Sequence, residues 1–534
     1  MKYLKKCMIL FIILVLPCAS FAASGTKELV ILHTNDFHGH PIKFFKYPAP
    51  NVGGLPAIAA FVDEVRQANK NVLVLDAGDI NTGRPESNFF KAIPDIIGYN
   101  YIGYDAMALG NHEFDNPVSL LKQQQRLAKF PFISANIKTK DGGYLVDPYT
   151  VKDFDGFKVG IFGLTTKETE IIGNPDYIKN ILFEDEVAAA RKMVAELKGK
   201  VDVIIALVHM GLWQDDTKGS RRLAAQVEGI DLIIDGHTHT DLKEPVLVNG
   251  TPIVQAWQWG LKVGKGKLTL KQGKVSDFAW ESVPINLKRR IKKADGSKEY
   301  PFIGKEYKED VFLLSVLTPY ADRVESILSE VIGESKGTYF NKNARNQETE
   351  LGDLVSDAML WFTKNLNSDF AIQNGGGIRA DLPEGKITKK LIYEILPFDN
   401  SIMVLKLKGS QVVELFDYVA TIPNGKGAFT QVSEGVSFTL NYTTQQCENI
   451  TINGKPIDPE KVYTIATNSY MASGGDGYKI FKKAMDKYDT SAFQRDAVIE
   501  YIIKLGGMLN PQPKERIKLI MGKAEADFIM DLAA

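Results

Sequence analysis

Cysteine is nearly absent from this sequence of 534 residues, which contains three. Cys7 and Cys18 lie in an N-terminal segment that we expect to be removed, which leaves Cys447 alone in the mature chain. A chain with a single thiol cannot form an internal disulfide, so its stability cannot depend on one. We therefore expect burial of a hydrophobic core to stabilise the fold.

An excess of charge of either sign is also missing, because 64 Lys and Arg residues are balanced by 65 Asp and Glu residues. This balance indicates no polyanion-binding surface, and we expect no nucleic acid polymer as a partner. The sequence has no internal repeat, no low-complexity segment and no second apolar span after its N-terminal one, so we expect no stable membrane insertion. A hydrophobic fraction of 44% and a charged fraction of 24% are typical of a globular protein, and the length favours two domains.

The first residues have the pattern of a signal peptide. Three early lysines precede a short apolar run, and residues 20–22 supply the small residues that a signal-peptidase site requires. We predict a signal peptide over residues 1–22, cleavage after Ala22 or Ala23, and a periplasmic or secreted protein. A lipoprotein anchored at Cys18 is the alternative, but Pro17 stands where a small residue is expected before such a cysteine.

Histidine is absent from the second half of the chain, since all seven histidines precede residue 240. The polar motifs of the first half are Asp36-Phe37-His38, Gly78-Asp79, Gly110-Asn111-His112-Glu113, Val208-His209 and Gly236-His237-Thr238-His239. Each motif follows a short apolar run that is typical of a buried strand. Helix-like stretches separate these runs, and the alternation indicates an α/β domain.

Motifs that directly follow strands of an open α/β sheet come together in one crevice. Seven potential metal ligands would then be neighbours: Asp36, His38, Asp79, Asn111, His209, His237 and His239. They are too many for one tetrahedral ion and suit two divalent metals bridged by a carboxylate. Two ions roughly 3.5 to 4 Å apart can activate a water and polarise phosphoryl oxygens for in-line displacement. Such mixed ligands accept Zn, Mn, Co or Fe, so the identity of the metal stays open.

Three histidines remain outside this ligand set. His112 directly follows a predicted ligand, and Asp115 is expected to orient its imidazole and keep it protonated. His112 would then stabilise charge on phosphorus or protonate the leaving group. We expect His33 to be a packed residue at a strand end and His40 to be a loop residue near the site.

Glycine-rich polar loops follow two predicted strands in the second half. Residues 368–373 lead into Asn374-Gly375-Gly376-Gly377-Ile378-Arg379, and residues 462–467 lead into a second loop over residues 468–477. Glycine triplets let a backbone approach a ligand closely, although a lone glycine-rich turn is more often only a turn. Arg379 favours ligand binding here, because a guanidinium group matches phosphate geometry bidentately.

The motifs of the first half resemble the calcineurin-like metallophosphoesterases of the 5′-nucleotidase and UDP-sugar hydrolase branch, in the order HTNDFHGH, DAGD, LGNHEFD, VHMG and DGHTH. The resemblance implies an α/β fold with an N-terminal four-layer αββα sandwich, a helical linker and a C-terminal α+β substrate-binding domain. It assigns one metal to Asp36, His38 and His239, and the other to Asn111, His209 and His237. It also implies that Asp79 bridges the metals and that His112 and Asp115 form a catalytic dyad.

The loops of the second half resemble the C-terminal domain of the same family, which binds the nucleoside. The resemblance implies that Arg345, Asn374 and Arg379 contact the phosphate, and that Phe398 and Tyr470 sandwich the base. It also implies a ribose contact by Asp476 and a further base contact by Asn400. Tyr470 departs from the phenylalanine of the best-known members, so its hydroxyl could change the base preference. Outside the family context, Phe398 and Tyr470 could equally be packing residues.

We predict a first domain over residues 25–285, a boundary loop and linker helix over residues 286–338, and a second domain over residues 339–534. A charged stretch around residues 288–296 is expected to be a solvated loop. The pattern from Phe312 to Ile332 predicts the linker helix, which Pro319 would kink or begin. Family members rotate the second domain about such a linker, so the resemblance implies closure during turnover.

The sequence thus predicts an exported monomeric two-metal 5′-nucleotidase that hydrolyses nucleoside 5′-monophosphates, with UDP-sugars or other nucleotide diphosphates as further substrates. A 2′,3′-cyclic-nucleotide phosphodiesterase with 3′-nucleotidase activity is the nearest alternative, because it has the same domains and motifs. A thiosulfohydrolase has the same scaffold but needs no base sandwich. A non-catalytic nucleotide-binding protein is the alternative from another class, although the complete ligand set argues against it.

Overall fold

The protein is described by a computed structural model that covers residues 26–46, 48–154, 156–173, 175–214, 216–293, 295–512 and 514–521. The predicted signal peptide, with Cys7 and Cys18, lies outside the described residues, as do residues 522–534. Among the described residues, none of the helices combines the length and the apolar character that crossing a bilayer requires.

Two six-stranded sheets form the centre of the first half. The first sheet has the strand order Lys274–Pro284, Lys262–Lys271, Lys27–Thr34, Val72–Asp76, Ala106–Ala108 and Phe132–Ile133. The second has the order Val246–Val248, Thr251–Val254, Leu232–Ile234, Val203–His209, Phe157–Thr165 and Tyr149–Phe154. The strands that precede the polar motifs are parallel to their neighbours within each sheet. Their carboxyl ends therefore lie along one edge of each sheet.

The two sheets face each other, and helices cover their outer sides. In the strand Lys27–Thr34, Leu29 and Ile31 contact the second sheet, whereas Val30 and Leu32 face the helices. This alternation follows from the two-residue period of a strand. The outer helices are Leu55–Ala68, Ile93–Ile102 and Val118–Leu127 on the first sheet, and Glu186–Leu197 and Gly219–Gln226 on the second. The predicted α/β fold with an αββα sandwich is confirmed.

Short elements complete the first half. Two-stranded sheets pair Phe44–Lys46 with Ala49–Val52, Ile137–Thr139 with Ile181–Phe183, and Ile291–Lys292 with Lys298–Glu299. The last pair corrects the expectation of a plain solvated loop at residues 288–296, although its residues are exposed. Short helices are Pro85–Asn88, His112–Phe114, Thr169–Ile172 and Pro175–Ile178.

A long helix, Val311–Leu328, connects the two halves and contains Pro319 in its interior. It begins where the Asp310 side chain accepts a hydrogen bond from the Leu313 N–H at 2.7 Å, which is an N-cap. The helix ends at Leu328 instead of Ile332. Residues Val331–Ser335 form a strand, because Ile332 is buried against the second half.

The second half is built from mixed sheets and helices. A five-stranded sheet has the order Thr430–Val432, Phe370–Asn374, Val462–Asn468, Ser401–Lys408 and Asp486–Phe493. A four-stranded sheet contains Lys455–Pro456, Gln446–Ile452, Val436–Asn441 and Ile517–Ile520, and a three-stranded one contains Gly385–Thr388, Val331–Ser335 and Met508–Leu509. The helices are Glu350–Phe362, Lys364–Leu366, Gly375–Gly377, Lys389–Ile395, Gly409–Ala420, Ser469–Ala472, Gly475–Gly477, Lys479–Lys483 and Gln494–Lys504.

Polar and aromatic contacts join the two halves. Arg84 contacts Glu394 at 2.9 Å, and Lys390 contacts Glu86 at 2.8 Å. The Phe89 and Tyr393 rings lie beside them, with 5.6 Å between their centroids. Within the described residues, each hydrophobic core cluster lies either wholly before residue 318 or wholly after residue 331. The hydrophobic cores of the two halves are thus separate.

Candidate functional site

The predicted ligands converge at the carboxyl ends of the parallel strands. Asp36 and His38 follow the strand Lys27–Thr34, Asp79 follows Val72–Asp76, and Asn111 follows Ala106–Ala108. The second sheet contributes His209 at the end of Val203–His209, and His237 and His239 after Leu232–Ile234. Residues that are up to 203 positions apart in the sequence therefore become neighbours, because both sheets present the same edge to one crevice.

The ligand atoms lie at distances that suit shared metal ions. His239 Nε2 is 3.1 Å from Asp36 Oδ1 and 3.2 Å from His38 Nε2. His209 Nε2 is 3.0 Å from Asp79 Oδ2, and His38 Nε2 is 3.8 Å from the same oxygen. Asp79 is therefore close to ligands from both predicted metal positions.

The donor set fits divalent metals. His209 is fully buried, and its Nε2 atom makes no hydrogen bond with any residue that the structure describes. Two groups of possible ligand atoms contain Asp36, one with His38 and His239 and the other with Asp79 and His209. A buried nitrogen that faces carboxylates without a hydrogen bond is the arrangement that a metal ion satisfies.

Backbone carbonyls and one amide orient the imidazoles. His38 Nδ1 lies 2.9 Å from the Thr82 carbonyl oxygen, and His209 Nδ1 lies 2.8 Å from that of Ala77. His239 Nδ1 contacts the side-chain oxygen of Gln258. Donation from Nδ1 leaves Nε2 as the ligand atom in these three rings. His237 differs, because its Nδ1 atom faces Asn111 Oδ1 at 2.8 Å.

Five of the seven predicted ligands have a left-handed backbone. Their φ angles are positive: 50° for Asp36, 48° for His38, 61° for Asp79, 79° for His237 and 50° for His239. Residues other than glycine rarely adopt this conformation, and each instance costs on the order of 1 to 3 kcal/mol. The surrounding structure must therefore hold these loops in place.

Glu113 holds two of these loops, and sequence analysis gave it no role. Its carboxylate accepts hydrogen bonds from the N–H groups of Asp79 at 3.0 Å, Ile80 at 3.0 Å and Gly110 at 2.6 Å. Glu113 is 2% exposed, so these bonds are shielded from water. Its place within the Gly110-Asn111-His112-Glu113 motif was the one signal in the sequence.

Asp235 performs the same task in the second sheet. It accepts hydrogen bonds from the N–H groups of Met210 at 2.9 Å, Gly211 at 3.1 Å and Gly236 at 2.8 Å. It thereby joins the loop after His209 to the loop that carries His237. Asp235 directly precedes the Gly236 motif, yet only the fold reveals its partners.

His112 and Asp115 form a close pair beside the ligands. His112 Nδ1 lies 2.6 Å from Asp115 Oδ2, which also accepts a hydrogen bond from the Thr82 hydroxyl at 2.5 Å. The N–H of His112 donates to Asp79 Oδ1 at 2.8 Å. Burial opposes the charged imidazole, but Asp115 and Asp79 outweigh it and raise the pKa of His112. Both carboxylates thus act in favour of the protonated imidazole.

A cavity of about 1270 Å³ lies between the two halves and joins this cluster to the second half. All six predicted substrate-binding residues line it: Arg345, Asn374, Arg379, Phe398, Tyr470 and Asp476. Asn400, His112 and Asp115 also line it. The structure therefore brings the residues that were predicted in both halves together around one cavity.

The side of the cavity formed by the second half directly faces the metal-ligand cluster. The Phe398 ring lies 5.9 Å from that of His112, and the Arg379 guanidinium carbon lies 5.9 Å from the Phe398 ring. Burial lowers the pKa of Arg379, whereas Asp115, Asp79 and Asp36 act to raise it. Arg379 thus lies in the electrostatic field of the carboxylates at the cluster.

Glu168 and Lys426 make a contact between the halves that sequence analysis missed. Lys426 Nζ lies 3.0 Å from Glu168 Oε1 and 4.5 Å from the centre of the Trp213 ring. Glu168 Oε2 lies 3.8 Å from His237 Nε2. No sequence signal marks this pairing, because the two partners are 258 residues apart.

The two remaining histidines lie away from the cavity lining. His33 is 1% exposed, and its Nε2 atom accepts a hydrogen bond from Trp280 Nε1 at 3.0 Å. His40 stacks on Trp259 with 4.9 Å between the ring centroids. His33 is therefore a packed residue, as expected, and His40 is buried in the loop beside the ligands.

We expect Glu113→Gln to lower the affinity for metal by about 10- to 100-fold, because a side-chain amide offers one acceptor oxygen where the carboxylate offers two. Metal content would be measured by mass spectrometry after dialysis against graded chelator. Glu170→Gln, an exposed carboxylate, is the matched control. Unchanged metal retention in a folded Glu113→Gln protein would mean that Glu113 does not support the ligand loops.

Comparison with known proteins agrees with this geometry. Residues 29–241 match the family model for calcineurin-like phosphoesterases, and residues 331–483 match the model for the C-terminal domain of 5′-nucleotidases. The chain is 35% identical to protein UshA of Yersinia enterocolitica, over 90% of this chain and 91% of the relative. It is 36% identical to a 5′-nucleotidase of Vibrio vulnificus, over 86% of this chain and 88% of the relative.

A solved structure supports the same conclusion. The 5′-nucleotidase precursor of Thermus thermophilus superimposes with a TM-score of 0.82 and 31% identity, over 93% of this chain and 100% of that one. The resemblance noted in the sequence is therefore confirmed. The chain belongs to the 5′-nucleotidase family of calcineurin-like phosphoesterases, and it is a metal-dependent phosphoester hydrolase that acts on nucleotides.

Proposed function

We propose that this protein is exported and that it hydrolyses nucleoside 5′-monophosphates to nucleoside and phosphate at two divalent metals. The observation that carries the proposal is a cavity lined by four of the seven candidate ligands, Asp79, Asn111, His237 and His239, together with aromatic and polar residues of the second half. A phosphate at the metals would extend its nucleoside toward Phe398 and Tyr470. A phosphatase without base recognition would have no need of this second side.

We propose that the seven ligands hold two ions of Zn, Mn or Co, with Asp79 shared between them. Bound there, the ions would supply the Lewis acidity and the activated water that phosphoester hydrolysis requires. Asp36 and Asp79 are buried, which keeps water from competing for their oxygens. The hydrogen bonds of the imidazole Nδ1 atoms keep the ligating nitrogens aimed at the same crevice.

We assign the dyad role to His112 and Asp115. Asp115 holds the Nδ1–H of His112, which leaves Nε2–H free to donate to a phosphoryl oxygen or to the leaving oxygen. Arg379 is in reach of the same region, and a guanidinium group stabilises the charge that develops on a phosphoryl group. Arg345 and Asn374 are proposed to complete the phosphate contacts, and Phe398 and Tyr470 to stack on the base.

A second candidate activity is hydrolysis of UDP-sugars and other nucleotide diphosphates at the same metals. It is favoured by the cavity volume of about 1270 Å³, which exceeds the roughly 300 to 1,000 Å³ of a typical small-molecule site. We propose that the protein functions as a monomer in the periplasm or outside the cell. That location rests on the N-terminal sequence pattern.

We propose two domains, over residues 25–285 and 339–534, joined by residues 286–338, which include the helix Val311–Leu328. Separate hydrophobic cores support this division. A polar interface between such domains permits relative motion. We therefore infer that the second domain moves to load substrate and release product.

The first experiment measures phosphate release from AMP, UMP, 3′-AMP, 2′,3′-cyclic AMP, ATP and UDP-glucose by protein reconstituted with Zn, Mn or Co. We expect release to be led by the 5′-monophosphates and to be abolished by EDTA. A phosphatase added downstream reveals cleavage of UDP-glucose. Preference for 3′ or cyclic substrates would establish the cyclic phosphodiesterase instead. No phosphate release from any substrate, with metal bound, would favour the thiosulfohydrolase or the binding protein.

His112→Ala is expected to lower kcat for AMP by about 10² to 10⁴ while metal content stays full, because a general acid is removed and no ligand is lost. His112 lies within reach of ligand atoms of His38 and Asp79, so metal content must be measured on the same sample. Loss of metal in His112→Ala would identify His112 as a ligand and remove the dyad assignment.

Linking the two domains should suppress turnover. Phe89→Cys and Tyr393→Cys face each other across the interface and, among the described residues, neither lines the cavity. We would join them with a short reducible crosslinker in a Cys447→Ser background of a chain that starts at Ser24. We expect kcat to fall by about tenfold or more and to recover on reduction, because product release requires opening. Full turnover in a verified crosslinked sample would exclude domain motion from the cycle.

A further inference from the structure

The hydroxyl of Tyr470 forms a hydrogen bond with a neighbouring carboxylate. Tyr470 lies in the short helix Ser469–Ala472, and its hydroxyl donates to Asp476 Oδ1 at 3.0 Å. The hydroxyl oxygen of Tyr470 also accepts a hydrogen bond from the Asp476 N–H at 3.0 Å. A phenylalanine at this position would make neither bond. The departure from the family therefore bears on Asp476.

Close approach of the loop makes these bonds possible. A Cβ atom added to Gly475 would lie 2.4 Å from the Tyr470 ring, so a glycine is needed where the chain crosses the ring. Asp476 then adopts a left-handed backbone with φ of 53°. The hydroxyl of Tyr470 donates one hydrogen bond to Asp476 and accepts another from it. Together they help to hold the left-handed conformation, which residues other than glycine seldom adopt.

The remaining polar atoms of Asp476 are also engaged. Asn374 Nδ2 donates to Asp476 Oδ2 at 2.8 Å, and the Tyr418 hydroxyl donates to the Asp476 carbonyl oxygen. Burial raises the pKa of Asp476, whereas the bonds from Asn374 and Tyr470 act to lower it. Each carboxylate oxygen has thus received one donor from the protein and retains acceptor capacity for a second.

Asp476 lines the cavity, so this remaining capacity is open to a ligand. A carboxylate of fixed orientation only accepts hydrogen bonds. It is therefore complementary to two hydroxyl groups on adjacent carbon atoms. The 2′ and 3′ hydroxyls of a ribose have this arrangement, whereas a 2′-deoxyribose offers one donor. Loss of a donor leaves a buried carboxylate oxygen without its partner, which a binding site penalises.

We propose that Tyr470 is a positioning residue that orients Asp476 toward the ribose diol, and that it makes the protein selective for ribonucleotides over 2′-deoxyribonucleotides. This inference rests on the proposed nucleotidase function. Tyr470 thus acts on the sugar through its hydroxyl. The sequence analysis instead gave the hydroxyl a part in base preference, and its bonds to Asp476 argue against that.

The test compares wild type with Tyr470→Phe, which keeps the ring and removes the hydroxyl. The substrates are AMP, 2′-dAMP and p-nitrophenyl phosphate, which has no sugar. We expect wild type to favour AMP over 2′-dAMP in kcat/KM by about tenfold or more, and Tyr470→Phe to narrow this ratio by about 3- to 10-fold. The change should be mainly a higher KM for AMP, and hydrolysis of p-nitrophenyl phosphate should change less than hydrolysis of AMP.

Two further variants make the result specific. Tyr101→Phe removes a tyrosine hydroxyl that donates to Asp310 at 3.1 Å, and Tyr101 is not among the described residues that line the cavity, so the AMP to 2′-dAMP ratio should stay at its wild-type value. Asp476→Asn replaces one acceptor oxygen by a donor and should narrow the ratio as Tyr470→Phe does, which keeps the proposal testable if Tyr470→Phe folds poorly. Equal losses on AMP and 2′-dAMP in Tyr470→Phe and in Asp476→Asn would overturn the proposal.

Binding separates the failure of this inference from the failure of the proposed function. Calorimetry would measure adenosine and 2′-deoxyadenosine with each variant, without any need for hydrolysis. Wild type should bind adenosine more tightly, and Tyr470→Phe should reduce the difference. Hydrolysis of AMP with equal affinity for the two nucleosides would overturn only the inference. Tighter binding of adenosine without hydrolysis of any nucleotide would support the inference and overturn the proposed function.

Discussion

The site depends on buried carboxylates that accept hydrogen bonds from the backbone of neighbouring loops. Glu113 joins the loop of Asp79 to that of Gly110, and Asp235 joins the loop after His209 to Gly236. Left-handed conformations at five ligands cost on the order of 1 to 3 kcal/mol each, so these loops would relax without such anchors. A carboxylate oxygen shared among several N–H groups satisfies them in a space from which water is excluded. The strands bring the candidate ligands together, and these carboxylates hold the loops of Asp79 and Gly236 in place.

The convergence of the seven candidate ligands could be predicted from the sequence, because each polar motif directly follows an apolar run that forms a strand. His33 is likewise predictable, since a histidine at the end of a buried strand is packed. The predicted end of the linker helix was wrong by a few residues. An apolar residue such as Ile332 is compatible with a helix or a strand, and the strand that pairs with its segment lies far along the chain. The contact of Glu168 with Lys426 was invisible for the same reason. Local pattern specifies elements, whereas pairing between distant elements requires the fold.

Tyr470 illustrates a second limit of sequence comparison. A change from phenylalanine to tyrosine keeps the aromatic face, so attention goes first to the base that the ring would contact. The hydroxyl, however, is directed at Asp476, which lies six residues later and is brought back by the turn over Gly475. The turn over Gly475 therefore determines that the added hydroxyl group contacts Asp476. The proposed effect of the change is therefore on the sugar, because the turn places Asp476 in the cavity lining.

The interface between the two halves consists of ion pairs and aromatic contacts, and among the described residues no hydrophobic core cluster extends across it. Its ion pairs, such as Arg84 with Glu394 and Lys426 with Glu168, can exchange their partners for water at modest cost, whereas separation of an apolar core would expose a large hydrophobic area. The hydrophobic clusters stay within each half, so opening would leave both intact. Lys426 also reaches Glu168, which faces His237. This contact between the halves is thus adjacent to a proposed metal ligand, so the proposed domain motion would bring Lys426 close to the proposed metal site.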